Sequence, residues 1–143
     1  MMILSYYFIA PIIGWFASGT IKYIINYFRY GKKAKERIGT GGFPSTHTTV
    51  ITSPTVLIGL NEGFTSPIFG LGVAIMIIVI MNATGLRREV GEHAKMLNEI
   101  TNKERSNTED SITKQREKIG HSWVEIIGGL ILGIILALGL YKI

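Results

Sequence analysis

The sequence predicts an all-α, polytopic membrane protein of about four transmembrane helices, with a polar cytoplasmic loop or helix between the third and the fourth. Three observations lead there. Charges are segregated along the chain: residues 1–21, 38–61, 63–86 and 126–141 hold no Asp, Glu, Lys or Arg, and 83–122 is densely charged. Two of these uncharged runs reach 24 residues, and about 20 apolar residues cross the hydrocarbon core of a bilayer. Finally, 13 of the 15 Lys and Arg residues fall in two connecting stretches that four spans place on one side.

At 143 residues the chain fits a single domain, 1–143. A hydrophobic content of 47% suits a globular protein as well, so the segregation of charge decides the class, and it argues against a disordered chain. The lack of cysteine excludes disulfides, thiol nucleophiles and thiolate metal sites. The net charge of +5 is read as membrane topology, with no nucleic acid expected as partner.

The first span is expected over Ser5–Tyr27, the second over Thr46–Leu60, the third over Pro67–Met81 and the fourth over Trp123–Leu140. The second and third are short for a bilayer and would tilt little or extend into flanking polar residues. The N-terminal run lacks a basic leader and exceeds the apolar length of a signal peptide, so it is read as a retained span. Asn61–Ser66 is a tight turn. Residues 28–44 hold Arg29, Lys32, Lys33, Lys35 and Arg37, and 83–122 hold Arg87, Arg88, Lys95, Lys103, Arg105, Lys114, Arg116 and Lys118. The positive-inside rule makes their face cytoplasmic and puts both termini outside. Residues 99–118 read as a solvated helix or a loop. In the fourth span, Gly129 and Gly133 form a small-xxx-small pair, a weak sign of dimerisation.

Chemistry-bearing residues gather at the basic ends of the spans. In GTGGFPSTH, residues 39–47, glycines permit close backbone approach, Pro44 suits a first helical turn, and Ser45 or Thr46 can cap it. The start of the second span thereby offers N–H groups and a positive dipole end to an anion, with His47 in the first turn. In NATGLRRE, residues 82–89, Arg87 and Arg88 are topological anchors or, if one turns inward, phosphate ligands. In GHSWVE, residues 120–125, His121 and Glu125 are four apart and share a helix face. Lys22 and Arg29, seven apart, share a face of the first span. Two histidines, a carboxylate, several cations and a helix N-terminus suit phosphoryl transfer through a histidine nucleophile. A metal site fits less well: no metal-ligand spacing is present, and the cations oppose a dication. Each cluster also has a plain reading, as a capped helix, an anchor or a snorkelling lysine.

These motifs, taken in order, resemble the divergent small membrane branch of the type-2 phosphatidic acid phosphatase superfamily, related to the vanadium haloperoxidases. GGFPSTH looks like that branch's GGxPSSH and the superfamily's PSGH. NATGLRREVGEHAKMLN is similar to DAxGVRRxxGxQAxxLN, and GHSWVEIIGGLILGI to GHxPxEVxxGxxLGI. Lys22 and Arg29 match the spacing of K-x6-RP, with Tyr30 in place of the proline. The resemblance covers most of the chain and implies one transmembrane phosphatase-like domain.

It also implies roles. His47 would be the general acid and His121 the nucleophile, held by Glu125 where the superfamily has aspartate. Lys22, Arg29, Ser45, Thr46, Arg87 and Arg88 would bind phosphate. The chemistry would need no metal or other cofactor. Three further positions depart from the pattern. Gln115 stands where a serine–arginine pair would begin, six residues before His121. Arg87 precedes His93 by six, making His93 a decoy nucleophile with Leu97 at the acid position. Asn82 occupies a common aspartate position. The expected function is a membrane phosphatase acting on a lipid phosphate or a polyprenyl phosphate or diphosphate. The alternatives are a non-catalytic lipid-phosphate binder or carrier and a structural four-helix protein. A homodimer is the expected assembly, since four spans give a groove little cover.

Overall fold

A computed structural model describes residues 2–31, 42–104, 115, 117 and 119–143, with side chains from Tyr6 onward and excluding those of 103 and 104. The expected basic residues Lys32, Lys33, Lys35, Arg37, Arg105, Lys114, Arg116 and Lys118 lie outside the described residues, as do Gly39, Thr40 and Gly41.

The described residues form five helices and no strand: α1 Met2–Tyr30, α2 Thr46–Glu62, α3 Pro67–Thr84, α4 Leu86–Glu104 and α5 Trp123–Tyr141. The all-α expectation holds. Three helical stretches are long and apolar enough to cross a membrane: Tyr6–Tyr30, the stretch beginning at Pro67, and Trp123–Tyr141. Helix α2 has 17 residues, which span about 25 Å. It lies among α1, α3 and α5 and packs on all three.

Helix starts follow their caps. Ser45 caps α2, Ser66 caps α3 ahead of Pro67, and Ser122 caps α5. Gly85 separates α3 from α4, so the stretch expected as a polar loop or helix begins as helix directly at the end of the third span. It stays helical to Glu104, which takes in the first residues of the expected polar segment 99–118.

The interior is unlike that of a water-soluble domain. Buried hydrophobic residues are few, namely Ala10, Leu57, Ala83, Ala94, Ile126 and Ala137. Ser18, Ser45, Thr48, Thr49, Thr52, Ser53 and Thr55 are also buried. Large apolar side chains such as Ile68, Leu71, Ile78, Ile131 and Ile135 face outward. Lipid is as apolar as leucine, so helices in a bilayer associate through close packing and hydrogen bonds. The hydroxyl residues of α2 meet glycines on each neighbour. A Cβ on Gly14 of α1 would stand 3.0 Å from Ser53 Oγ, and one on Gly72 of α3 would stand 2.9 Å from Thr55. On α5, a Cβ at Gly129 would come within 2.6 Å of Ser45 O, and one at Gly133 within 2.6 Å of Thr52 Cβ. The Gly129–Gly133 pair therefore serves contact between α2 and α5 of one chain. Thr49 Oγ1 donates to Gly129 O at 3.2 Å and Ser53 Oγ to Ala10 O at 3.1 Å. At the far end of the bundle, Tyr7 Oη donates to Glu62 Oε1 at 3.0 Å.

Candidate active site

At the other end, α2 and α5 both begin and α1 and α3 both finish. Two backbone hydrogen bonds lock these ends together. Ser45 N–H donates to Glu125 O at 2.8 Å, and His121 N–H donates to Ala83 O at 3.0 Å. The first joins the N-termini of α2 and α5, and the second ties the lead-in to α5 onto the end of α3. Gly120, at φ +117°, makes the turn before His121 in a region that favours glycine. A Cβ there would sit 3.4 Å from Ala83 O and from Arg88 N.

His121 and Glu125 form the tightest side-chain pair at this end. Nδ1 lies 2.7 Å from Glu125 Oε2, and the two side chains are 5% and 21% exposed. A carboxylate accepts, so Nδ1 carries the proton and Nε2 is left clear of this bond. The same oxygen accepts Ser122 N–H at 3.3 Å, while Ser122 Oγ accepts Glu125 N–H at 3.4 Å. That is a capping box, written in the sequence as Ser-x-x-Glu. Glu125 thus sits in the first turn of α5 with two roles, closing the helix end and holding the imidazole. The spacing put the pair on one helical face; the structure instead places His121 outside α5, one residue before the cap Ser122, with the pair closed across the helix start, and the box went unread in the sequence.

His47 lies opposite. Its ring centroid is 5.8 Å from that of His121, with an interplanar angle of 61°. Arg87 approaches His47 Nε2 at 3.3 Å. A guanidinium has donors only, so Nε2 is the acceptor in this contact. Behind His47, Lys22 Nζ donates to Thr46 Oγ1 at 3.2 Å, and its aliphatic stem runs beside Gly42.

The remaining expected phosphate ligands differ in position. Ser45 is wholly buried, and its Oγ accepts from Thr48 N–H at 3.4 Å and from Thr48 Oγ1 at 2.9 Å. By helix geometry, the N–H groups of Thr46 and His47 are the ones at this terminus without an intrahelical partner. Both arginines are exposed; Arg88 has its backbone against Gly120, and Arg87 is the one whose side chain reaches His47. Arg29 is exposed in the last turn of α1, about 10 Å along the axis from Lys22. His93 and Leu97 are exposed on α4, and Asn82 is exposed at the end of α3. Among the described residues no three His, Asp or Glu side chains converge as a metal-binding set.

Sequence reasoning also passed over Asn98. It is buried on α4, and its side chain bonds both backbone groups of Gln115. The terminal LN of the second motif was the available signal.

A multi-pass helical bundle with a histidine–carboxylate pair facing a second histidine at one end of the spans defines the class: a helical membrane protein whose ionisable side chains gather at one end of the bundle. The family can be stated more narrowly. The chain matches the divergent PAP2 family (a domain of unknown function) over residues 4–136 and belongs to that family. It is 30% identical over 110 residues to the uncharacterized membrane protein YuiD of Bacillus subtilis (strain 168), covering 69% of this chain and 70% of that one. No solved structure matches the chain.

Proposed function

We propose that this protein is a membrane phosphatase that removes phosphate from a lipid phosphate or a polyprenyl phosphate or diphosphate through a phosphohistidine. The observation that carries the reading is the His121–Glu125 pair, bonded at 2.7 Å, facing His47 at 5.8 Å between ring centroids. Glu125 holds the proton on Nδ1 of His121, so the lone pair of Nε2 attacks phosphorus. The N–P bond forms as the P–O bond to the lipid breaks, and His47, protonated, gives its proton to the departing oxygen. Water then attacks the phosphohistidine, His47 takes a proton from it, and cleavage of the N–P bond releases phosphate and restores His121. Arg87 would leave His47 Nε2 for a phosphate oxygen, with Lys22, Thr46 and the first N–H groups of α2 binding others. The cytoplasmic face carries this site, since the basic stretches join the same helix ends.

Membership of the divergent PAP2 family supports a phosphatase-related chemistry. A second reading, lipid-phosphate binding without turnover, is favoured by two observations. Asn82 stands where related motifs carry aspartate, and the Ser45 hydroxyl is buried against Thr48. Phosphate release from a panel of lipid phosphates by purified protein, with chelator present and vanadate as inhibitor, separates the two. Release that persists in chelator and falls with vanadate supports the phosphatase. Saturable binding of lipid phosphate with no release supports the carrier.

A further inference from the structure

The segment leading into His121 is docked along one side of α4 and the end of α3. Asn98, 5% exposed, holds its far end. Its Nδ2 donates to Gln115 O at 2.8 Å, and its Oδ1 accepts Gln115 N–H at 2.8 Å. One side-chain amide thereby satisfies both backbone groups of one residue, as a neighbouring strand would. Nδ2 also donates to Glu117 Oε1 at 2.9 Å, which uses both of its protons. Two turns back along α4, Gly91 lets the chain come close: a Cβ there would lie 2.5 Å from Glu117 O. At the opposite end of the segment, Ala83 O takes the N–H of His121 at 3.0 Å. Residues 98 and 91 are seven apart, close to two helical turns, so these two docking points share one side of α4, and Ala83 adds a third on the end of α3.

We propose that Asn98 is a positioning residue that fixes how Gln115, Glu117 and residues 119–121 sit on α4 and the end of α3, and so sets where the His121 imidazole stands against His47. It rests on the phosphatase reading for its catalytic consequence and on the geometry alone for its structural one. An extended residue advances the chain by about 3.3 Å, so a slip of one position at Gln115 would pull against the His121 N–H bond to Ala83 O and disturb the stance of the imidazole. The capping box and the Ser45 N–H bond to Glu125 O hold the start of α5 on α2, and the docked segment holds the chain before it, so His121 stands where the two meet. Asn98 touches neither histidine, so it acts through the segment.

Hydrogen exchange and phosphate release on the purified full-length protein test this in wild type, Asn98→Ala and Asn98→Asp. Asn98→Asp keeps the side-chain volume and the acceptor for Gln115 N–H but sets a carboxylate oxygen against Gln115 O and Glu117 Oε1, so its loss should match or exceed that of Asn98→Ala. In wild type, the Gln115 and His121 amides should exchange slowly. In Asn98→Ala, protection should drop across 115–121 and be kept in α1, α2 and α5. A 1 Å misplacement can cost on the order of 10²-fold in rate, so kcat should fall at least about tenfold with KM within about threefold. Unchanged exchange across 115–121 in Asn98→Ala overturns the proposal, as does an unchanged kcat in an active enzyme. If Asn98→Ala loses protection throughout, Asn98→Asp replaces it in both measurements under the same criteria. A wild-type protein that releases no phosphate removes the phosphatase reading; exchange across 115–121 then decides the positioning claim by itself.

Discussion

His47 and His121 face each other across 5.8 Å between ring centroids, one in the first turn of α2 and the other just before α5. Helix ends set that spacing, since Ser45 N–H bonds Glu125 O beside both rings. The two imidazoles differ in their partners. His121 presents Nδ1 to a carboxylate, and His47 presents Nε2 to a guanidinium. On the proposed phosphatase reading, that asymmetry would divide the work, with the carboxylate-held ring as nucleophile and the other as proton carrier.

Replacing Glu125 by Gln separates its two roles. Glutamine also closes a capping box, so the helix start and the melting temperature should hold. An amide stabilises an imidazolium less than a carboxylate does, so the rate should fall about 10²- to 10⁴-fold. His121→Ala should abolish release. Steady-state phosphate release alongside thermal unfolding checks this, and an active His121→Ala protein would sink the mechanism.

For His47→Ala the leaving group is the discriminating variable. Turnover of an alkyl phosphate should fall by about 10²-fold or more. An aryl phosphate with an acidic leaving group should be largely spared, since its oxygen departs without a proton. Equal losses on both substrates would contradict the assigned role.

The adjacent arginines should differ. Both are exposed, but Arg87 contacts His47, so Arg87→Ala should lower kcat/KM about 10- to 100-fold and Arg88→Ala much less. Parallel kinetics on the two variants would show it. Successive helical residues point about 100° apart, so one of the pair reaches the histidine at the expense of the other.

Among the α5 glycines, Gly129→Ala should destabilise by about 1–3 kcal/mol through overpacking against Ser45 and Thr48. Gly139→Ala meets nothing within 4 Å and should leave the melting temperature unchanged or raise it. Thermal unfolding in detergent distinguishes the two.

Orientation is open to a chemical test because the chain has no cysteine of its own. Single cysteines at 35 and 105 should resist an impermeant thiol reagent in intact cells, while one at Thr65, in the turn after α2, should react. The reverse pattern would invert the topology.

Much of this was legible in the sequence. Uncharged runs located the spans, and motif order brought His47, His121 and Glu125 to one end. Distinguishing Arg87 from Arg88 was beyond it, because a dipeptide does not say which way the helix is turned. The Thr and Ser residues of α2 were also opaque. Their partners are glycines on three other helices, and a glycine announces a contact only once a neighbour is known. Asn98 escaped for a similar reason, since it bonds the backbone of Gln115, whose side chain identity is irrelevant to the bond. The capping box at Ser122 and Glu125 was readable and was overlooked.

The exchange of hydroxyl and glycine for bulk inside the bundle has a calorimetric consequence. Unfolding heat capacity rises with apolar surface newly wetted and falls with polar surface newly wetted. Here the covered side chains are mainly Ser, Thr and small residues, while the large aliphatic ones already face lipid or detergent. Melting should therefore show a heat-capacity step well below the roughly 12–15 cal/mol/K per residue of water-soluble domains. The stability curve should be correspondingly flat, with a shallow dependence on denaturant.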